Sequence, residues 1–298
     1  MRTPTARTVL AGVVGSLFGS LLIVTAPSTT AAAPGSGVSS ASSGFNDWRC
    51  RPSAEHPDPV VMLHGLGANG DANYAGYLGP YVAGQGYCVF APTYGRVSSA
   101  YPVGGLASIE ESAPQIEAYI DEVLDVTGAS RADLVGHSEG GFQSLYGPKV
   151  LGYADRVDTV VAMAPPTHGT DVSGLVALGN LLGLSDPIRQ ALRAFGCAAC
   201  DDLTVDGPAV QTLNDGPIAQ DGVAYTIIAS RTDTVVTPYE TAFVDEPGVE
   251  NVLVQDVCPF DPVGHVGLAF DSGVAQMVTN ALDPATAKPV SCGVGFPF

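Results

Sequence analysis

The sequence predicts an α/β fold: a mostly parallel central sheet with helices on both faces. Short apolar runs alternate with amphipathic stretches along the chain, a pattern typical of parallel sheets. One apolar run ends in Gly-x-Ser-x-Gly, residues Gly136–Gly140, and a helix-compatible stretch follows it directly. With 298 residues, 46% of them hydrophobic, the chain can build the core that such a sheet needs. We find no repeat and no sign of a second domain.

The individual elements follow from apolar runs and their stop signals. The predicted strands are Pro59–Leu63, Gly86–Ala91, Leu134–Val135, Val157–Met163, Ala224–Ala229 and Asn251–Val254. The predicted helices are Ile109–Val126, Phe142–Leu151 and Gly267–Leu282.

The first residues have the order of a secretory signal peptide. Arg2 and Arg7 precede an apolar run, Val9–Val24, and the small residues Ala31–Ala33 offer a cleavage site. A membrane anchor is the alternative, but the run is short and broken by glycines. We therefore predict a signal peptide over 1–33, a flexible linker over 34–45 and one domain over 46–298. The expected location is extracellular, without stable membrane insertion.

Charge narrows the classes of partner. The formal net charge of −18 argues against nucleic acids and anionic membrane surfaces. A neutral lipid or ester substrate is compatible with it. We expect a monomer.

Six cysteines in an exported chain favour disulfides over metal binding. Fifteen pairings are possible, so the connectivity stays open, but position in the chain favours one set. A redox role for the Cys197/Cys200 pair is disfavoured by the acidic Asp201 and Asp202 that follow it. The favoured pairs are Cys197 with Cys200, Cys258 with Cys292, and Cys50 with Cys88.

The Gly-x-Ser-x-Gly run predicts a nucleophile elbow. A strand before it and a helix after it are the context in which this motif exposes a serine hydroxyl, here that of Ser138. Gly136 and Gly140 leave room for the sharp reversal of the backbone.

A serine nucleophile needs a histidine base, and elbow hydrolases place serine, acid and histidine in that chain order. Two of the five histidines precede the serine, and His137 is its neighbour and must point elsewhere. His168 follows too soon to leave a strand end for the acid. His265 is therefore the predicted base, and it lies in the flexible turn before the last predicted helix. The alternative is that this histidine has a purely structural role.

Asp233 is the predicted acid because it follows the strand Ala224–Ala229, at the edge where parallel sheets carry their sites. Asp256 and Asp261 are its rivals, nearer to His265 in sequence. Two backbone N–H groups are needed to bind an oxyanion, and we predict those of Leu66 and Glu139. A plain strand-to-helix connection at Leu66 is the alternative.

The chemistry so predicted needs no metal and no cofactor, because backbone donors polarise the carbonyl. The many acidic residues leave a structural calcium open, but no ligand-spaced cluster such as an EF-hand loop occurs.

Taken together, these pieces resemble the secreted bacterial class-two lipases, especially their actinobacterial branch, within the α/β-hydrolase superfamily. The resemblance implies an α/β-hydrolase fold, carboxylester hydrolysis through an acyl-enzyme, the triad Ser138, Asp233 and His265, and oxyanion donors Leu66 and Glu139. Glu139 departs from the pattern, since relatives often carry Gln or Met there; its carboxylate would repel an oxyanion unless it turns away. The matching segments are His64–Gly67, Gly136–Gly141, Cys197–Cys200, Thr232–Tyr239 and Gly264–Leu268.

Residues 164–200 interrupt the alternation of strands and helices. Leu175, Leu178 and Leu182 have helical spacing, and a further helix is predicted with Ser185 or Asp186 as its N-cap and Pro187 in its first turn. This helical insert either roofs the active site and contacts an acyl chain, or packs on the sheet edge; both interpretations stay open.

Other functions remain compatible with the same fold. A polyester (cutinase-like) hydrolase or an acyltransferase would use the same triad, and a non-catalytic binding protein could keep the fold without the chemistry.

Overall fold

A computed structural model describes residues 44–172, 176 and 182–298. The predicted signal peptide, most of the predicted linker, and Leu175 and Leu178 lie outside the described residues. Gly44 and Phe45 are described, and they run beside Val89: its N–H donates to the Gly44 carbonyl at 3.0 Å. The last two residues of the predicted linker therefore lie against Val89 and are not a free linker.

In the described part of the chain, six parallel strands form one sheet in the order β2-β1-β3-β4-β5-β6. The strand after which the elbow turns, β3, lies inside the sheet between β1 and β4. The strands are β1 Val60–Leu63, β2 Val89–Phe90, β3 Ala132–His137, β4 Val157–Met163, β5 Ala224–Ala229 and β6 Val249–Leu253. The sheet and its helices confirm the predicted fold class.

Helices cover both faces because successive strand residues point to opposite sides. Leu134 lies in the apolar cluster on one face and its neighbour Val135 in the cluster on the other. The helices are α1 Gly70–Tyr74, α2 Leu78–Gly84, α3 Ile109–Thr127, α4 Glu139–Tyr146, α5 Ser185–Ala194, α6 Ala198–Asp202, α7 Pro208–Leu213, α8 Val254–Val257 and α9 Ser272–Leu282.

The starts of three helices differ from the prediction. α4 begins at Glu139, directly after the serine, and a π turn over Gly147–Leu151 follows it. α9 begins at Ser272 because the Asp271 carboxylate accepts the Val274 N–H at 2.9 Å and caps the helix there. α5 has Leu184 at its N-cap, so the predicted caps Ser185 and Asp186 are one and two residues too late.

The favoured disulfide set is present in full. Cys50 pairs with Cys88, Cys197 with Cys200 and Cys258 with Cys292. The first bridge joins the segment before β1 to the start of β2, and the third holds residue 292 against the end of α8. Among the described residues, no helix has the length and apolarity to cross a membrane.

Candidate active site

The elbow has the geometry that its motif predicts. Ser138 sits between β3 and α4 with a φ of +57°, a conformation that non-glycine residues rarely adopt. A Cβ on Gly136 would come within 2.2 Å of the Gly140 carbonyl oxygen, and one on Gly140 within 1.9 Å of the Leu63 carbonyl oxygen. Both glycines are therefore required by close backbone approach, and the turn holds the serine in a strained position.

Ser138, His265 and Asp233 form one hydrogen-bonded chain. The distance from Ser138 Oγ to His265 Nε2 is 2.8 Å, and that from His265 Nδ1 to Asp233 Oδ2 is 2.7 Å. All three side chains are buried. With Nδ1–H donating to the carboxylate, Nε2 is free to accept the serine proton. The structure thus brings together the three predicted triad residues.

The carboxylate of Asp233 is fixed by the turn that follows β5. Its Oδ1 accepts the N–H groups of Val235 at 2.7 Å and Val236 at 2.9 Å, which leaves Oδ2 for the histidine. The two rival acids are engaged elsewhere. Asp256 pairs with Arg231 at 3.4 Å, and Asp261 Oδ1 accepts backbone N–H groups of its own loop and of Gly295.

The turn after β1 lies against the serine. A Cβ on Gly65 would stand 3.3 Å from Ser138 Cβ, so Leu66, the next residue, is close to the nucleophile. Asn73 of α1 holds this turn, because its Oδ1 accepts the Gly65 N–H at 3.0 Å. Glu139 is the first residue of α4, where helical N–H groups lack partners within the helix. Both predicted oxyanion donors therefore flank Ser138.

His137 contacts the backbone of His265, and no sequence pattern predicts this contact. Its Nε2–H donates to the carbonyl oxygen of His265 at 2.9 Å, and its Nδ1 lies 3.3 Å from Asn73 Oδ1. Burial, with the nearby His265, lowers the pKa of His137 to about 3, so its ring is neutral at ordinary pH. Asn73 and His137 thus connect the Gly65 turn to the backbone of the histidine loop.

His64 has a similar structural role at the start of the turn. Its Nε2 accepts the Tyr94 N–H at 3.3 Å and its Nδ1–H donates to the Gly65 carbonyl at 2.9 Å. The Tyr94 ring stacks on the imidazole, and its hydroxyl donates to the His64 carbonyl. Burial lowers the pKa of His64 to about 4, so this histidine carries no charge into the site.

The segment Gly293–Phe298 runs along the loop that carries His265. The N–H of Gly264 donates to the Phe296 carbonyl at 2.8 Å, and that of Gly267 to the Phe298 carbonyl at 2.7 Å. A Cβ on Gly264 would come within 2.5 Å of Pro297. Because these positions are glycines, the backbone of the Gly293–Phe298 segment can pack against the loop that carries His265. The loop is thus contacted by this segment as well as by His137.

Ion pairs hold the described part of the insert. Arg193 of α5 contacts the Asp201 carboxylate at 2.6 Å and the Asp202 carboxylate at 2.8 Å, and both acids are buried. Asp202 also accepts the Ile109 N–H at 2.9 Å, which ties α6 to the start of α3. Leu182 and Ile188 are exposed, so the insert presents apolar surface to solvent.

Within the described residues, no group of three or more His, Cys, Asp or Glu side chains could hold a metal ion.

Parts of this chain are similar to known proteins with an α/β-hydrolase fold. A family model described as alpha/beta hydrolase fold matches residues 58–193, which include Leu66 and Ser138 but end before Asp233 and His265. The crystal structure of Aspergillus fumigatus lipase B is similar to this chain with a TM-score of 0.59 at 17% identity, covering 80% of this chain and 54% of that one. At that identity the likeness establishes the fold alone.

Two curated proteins are related over part of the sequence. A triacylglycerol lipase of Pseudarthrobacter phenanthrenivorans and one of Burkholderia plantarii are each 27% identical over 173 residues, 54% of this chain. The match covers 51% of the first protein and 45% of the second, so the chain spans about half the length of these relatives.

Proposed function

We propose that the chain is a secreted serine carboxylester hydrolase, a lipase or esterase that works through an acyl-enzyme. The observation that carries the proposal is the hydrogen-bonded chain Ser138–His265–Asp233 at a strained elbow. Such a chain converts a weakly nucleophilic hydroxyl into a reactive one, because the imidazole takes the proton as the oxygen attacks. The names of the curated relatives agree with this activity.

In the proposed reaction, Ser138 Oγ attacks the ester carbonyl carbon while His265 Nε2 takes the hydroxyl proton. Collapse of the tetrahedral intermediate breaks the bond to the alcohol oxygen, and His265 returns the proton to that leaving group. Water then attacks the acyl-serine with His265 again as base, which releases the acid and restores the serine. Asp233 holds the imidazole in the Nδ1–H tautomer throughout.

The oxyanion of both intermediates would be bound by the N–H groups of Leu66 and Glu139. The contact of the Gly65 turn with Ser138 and the position of Glu139 at the start of α4 support this assignment. Donors fixed in the backbone need no reorganisation as charge develops on the carbonyl oxygen, so they favour the transition state.

An apolar ester is the substrate class that fits the entrance. The exposed fractions of the proposed oxyanion donor Leu66, and of Val235 and Val266 near Asp233 and His265 in the chain, are 41%, 41% and 49%. Apolar side chains around a buried nucleophile favour acyl chains, and the net charge of −18 disfavours anionic substrates. Three disulfides are consistent with an extracellular location.

A fluorophosphonate probe tests the proposal, since it phosphonylates activated serines. We expect one label per chain, on Ser138. In a separate assay with p-nitrophenyl esters, a burst of alcohol release should accompany formation of the acyl-enzyme. Ser138→Ala should take up no label, and Ser53→Ala, which removes an exposed serine, should label like the unaltered protein. Absence of label on folded protein would contradict the proposed enzymatic activity and favour a non-catalytic binding protein.

A further inference from the structure

The side chain of Glu139 is fully buried near the Gly65 turn. A Cβ on Gly105 would come within 2.4 Å of Glu139 Oε2, so backbone packs directly on the carboxyl group. The carboxyl group therefore has no solvent to stabilise a charge.

No cation compensates the carboxyl group within the described part of the chain. Neither carboxyl oxygen forms a well-aligned hydrogen bond to another group there. Arg193, the cation of the neighbouring ion-pair cluster, is bound to Asp201 and Asp202. An unpaired carboxylate in such a place is strongly disfavoured, because burial removes its hydration.

A proton would give Glu139 a partner. Gln143 lies one helical turn further along α4, beside the glutamate, and its Oε1 is also unpartnered among the described residues. The Gln143 amide N–H donates to the Ile109 carbonyl at 3.4 Å, and the amide oxygen can only accept. A protonated carboxyl group can donate to that oxygen, whereas a carboxylate cannot.

The other titratable groups around Glu139 also oppose its ionisation. The acid Asp202 approaches from α6. Tyr94, in the loop after β2, is a buried phenol whose pKa is raised well above its usual range, so it stays neutral and supplies no positive charge. Burial raises the pKa of Glu139 well above its usual range; the contact with the Gln143 side chain opposes this rise by less, and the charge of Asp202 adds to it. The Gly104–Gly105 loop and the Gly65 turn contribute only backbone to the contact.

We propose that Glu139 keeps its proton while the protein acts, so that a neutral carboxyl group lies beside the oxyanion donors, and that loss of this proton at alkaline pH lowers turnover. A negative charge next to the Glu139 N–H would oppose the developing oxyanion across a medium of low polarity. The catalytic half of this inference rests on the proposed function; the protonation half does not.

The protonation half is tested by stability. Below the carboxyl pKa of the unfolded chain, both states carry the proton and pH has no effect through this group. Above it, only the unfolded chain releases the proton, so folding stability falls as pH rises until the folded pKa is reached. Glu139→Gln cannot ionise and escapes that loss.

We therefore expect the Tm of Glu139→Gln minus that of the unaltered protein to grow steadily from about pH 5 to about pH 9. Glu122→Gln, an exposed glutamate on α3, is the matched control and should give a constant difference. A constant difference for Glu139→Gln would overturn the proposal. If that variant does not fold, Glu139→Met makes the same test.

The catalytic half is tested by pH profiles of kcat/KM for a p-nitrophenyl ester. The ratio of kcat/KM at about pH 9.5 to that at pH 7 should be at least about tenfold higher in Glu139→Gln than in the unaltered protein. Equal ratios would overturn it. If unaltered protein takes up no fluorophosphonate, the proposed function has failed, while the Tm series still decides whether Glu139 is protonated.

Discussion

Ser138 and Arg193 lie in two regions that are held in place by different interactions. Around Ser138, backbone contacts of glycines and buried hydrogen bonds fix the elbow, the Gly65 turn and the His265 loop. Around Arg193, ion pairs join α5 to α6, and apolar side chains of the insert face solvent. Changes around Ser138 should therefore affect the chemistry. Changes around Arg193 should mainly affect stability and substrate preference.

The largest effects are expected from the proposed triad itself. Ser138→Ala and His265→Ala should each lower kcat/KM by about 10⁴ or more, and Asp233→Ala somewhat less. Double variants should lose little beyond the worse single one, because the three act as a unit. Asp256→Ala and Asp261→Ala are the controls; if either abolished turnover while Asp233→Ala was silent, the acid would be misassigned.

The next effect concerns Asn73, which connects the Gly65 turn to His137. Asn73→Ala should lower kcat by roughly 10- to 100-fold with a smaller change in KM, since misplaced oxyanion donors cost transition-state binding above all. Asn280→Ala, which removes a surface amide that bonds Lys288, is the matched control. A pure rise in KM would argue that Asn73 shapes substrate binding instead.

A smaller effect is expected from the ion pairs of the insert. Arg193→Ala leaves buried Asp202 without a cation and Asp201 with Arg189 alone, and should lower the free energy of unfolding by about 1–2 kcal/mol, with the exposure of Arg193 limiting the loss. Urea denaturation at low and high salt measures it. Arg231→Ala breaks the exposed pair with Asp256 and should change stability by much less. Equal losses would mean that burial of the acids is unimportant.

Smaller still are the expected changes in chain-length preference. If Leu182 and Ile188 contact the acyl chain, replacing each with Ser should reduce kcat/KM for an eight-carbon ester relative to a four-carbon ester by about fourfold per lost methylene contact. A series of p-nitrophenyl esters from two to sixteen carbons, with and without an emulsified interface, makes the measurement. Val257→Ser, elsewhere on the surface, is the control. Unchanged ratios would favour packing on the sheet edge as the role of the insert.

No effect is expected from removing divalent metals, because the proposed mechanism polarises the carbonyl with backbone N–H groups. Rates measured before and after exhaustive treatment with a chelator make the test. Loss of activity with rescue by added calcium would reveal a cation site that the donor geometry does not require.

The same two regions differ in how far the sequence predicted them. Ser138 was predictable because elbow chemistry is local: strand, glycines, serine and helix are contiguous in the chain. Asp233 and His265 followed from chain order and from their places after strands. The fold class followed from the alternation of strands and helices.

What the sequence left out depends on contacts between distant segments. Asn73 lies on a five-residue helix without a motif, and its partner His137 is 64 residues away. The sequence also joined the 3₁₀ turn Val266–Ala269 and α9 into one helix, since their apolar spacing is continuous and the cap at Asp271 has no distinctive signature. In the insert, Arg193 is an ordinary surface arginine in sequence, and only the fold reveals the acids that it binds.

The pairing of Gly264 and Gly267 with Phe296 and Phe298 has a consequence for the order in which the protein matures. Synthesis places the serine and the acid in the growing chain well before these partners of the base's loop exist. The loop obtains its full set of backbone hydrogen bonds only once residue 298 has been added, and the Cys258–Cys292 bridge holds the preceding segment nearby. The loop that carries His265 therefore reaches its complete hydrogen-bonded arrangement after the strands and the elbow have been synthesised.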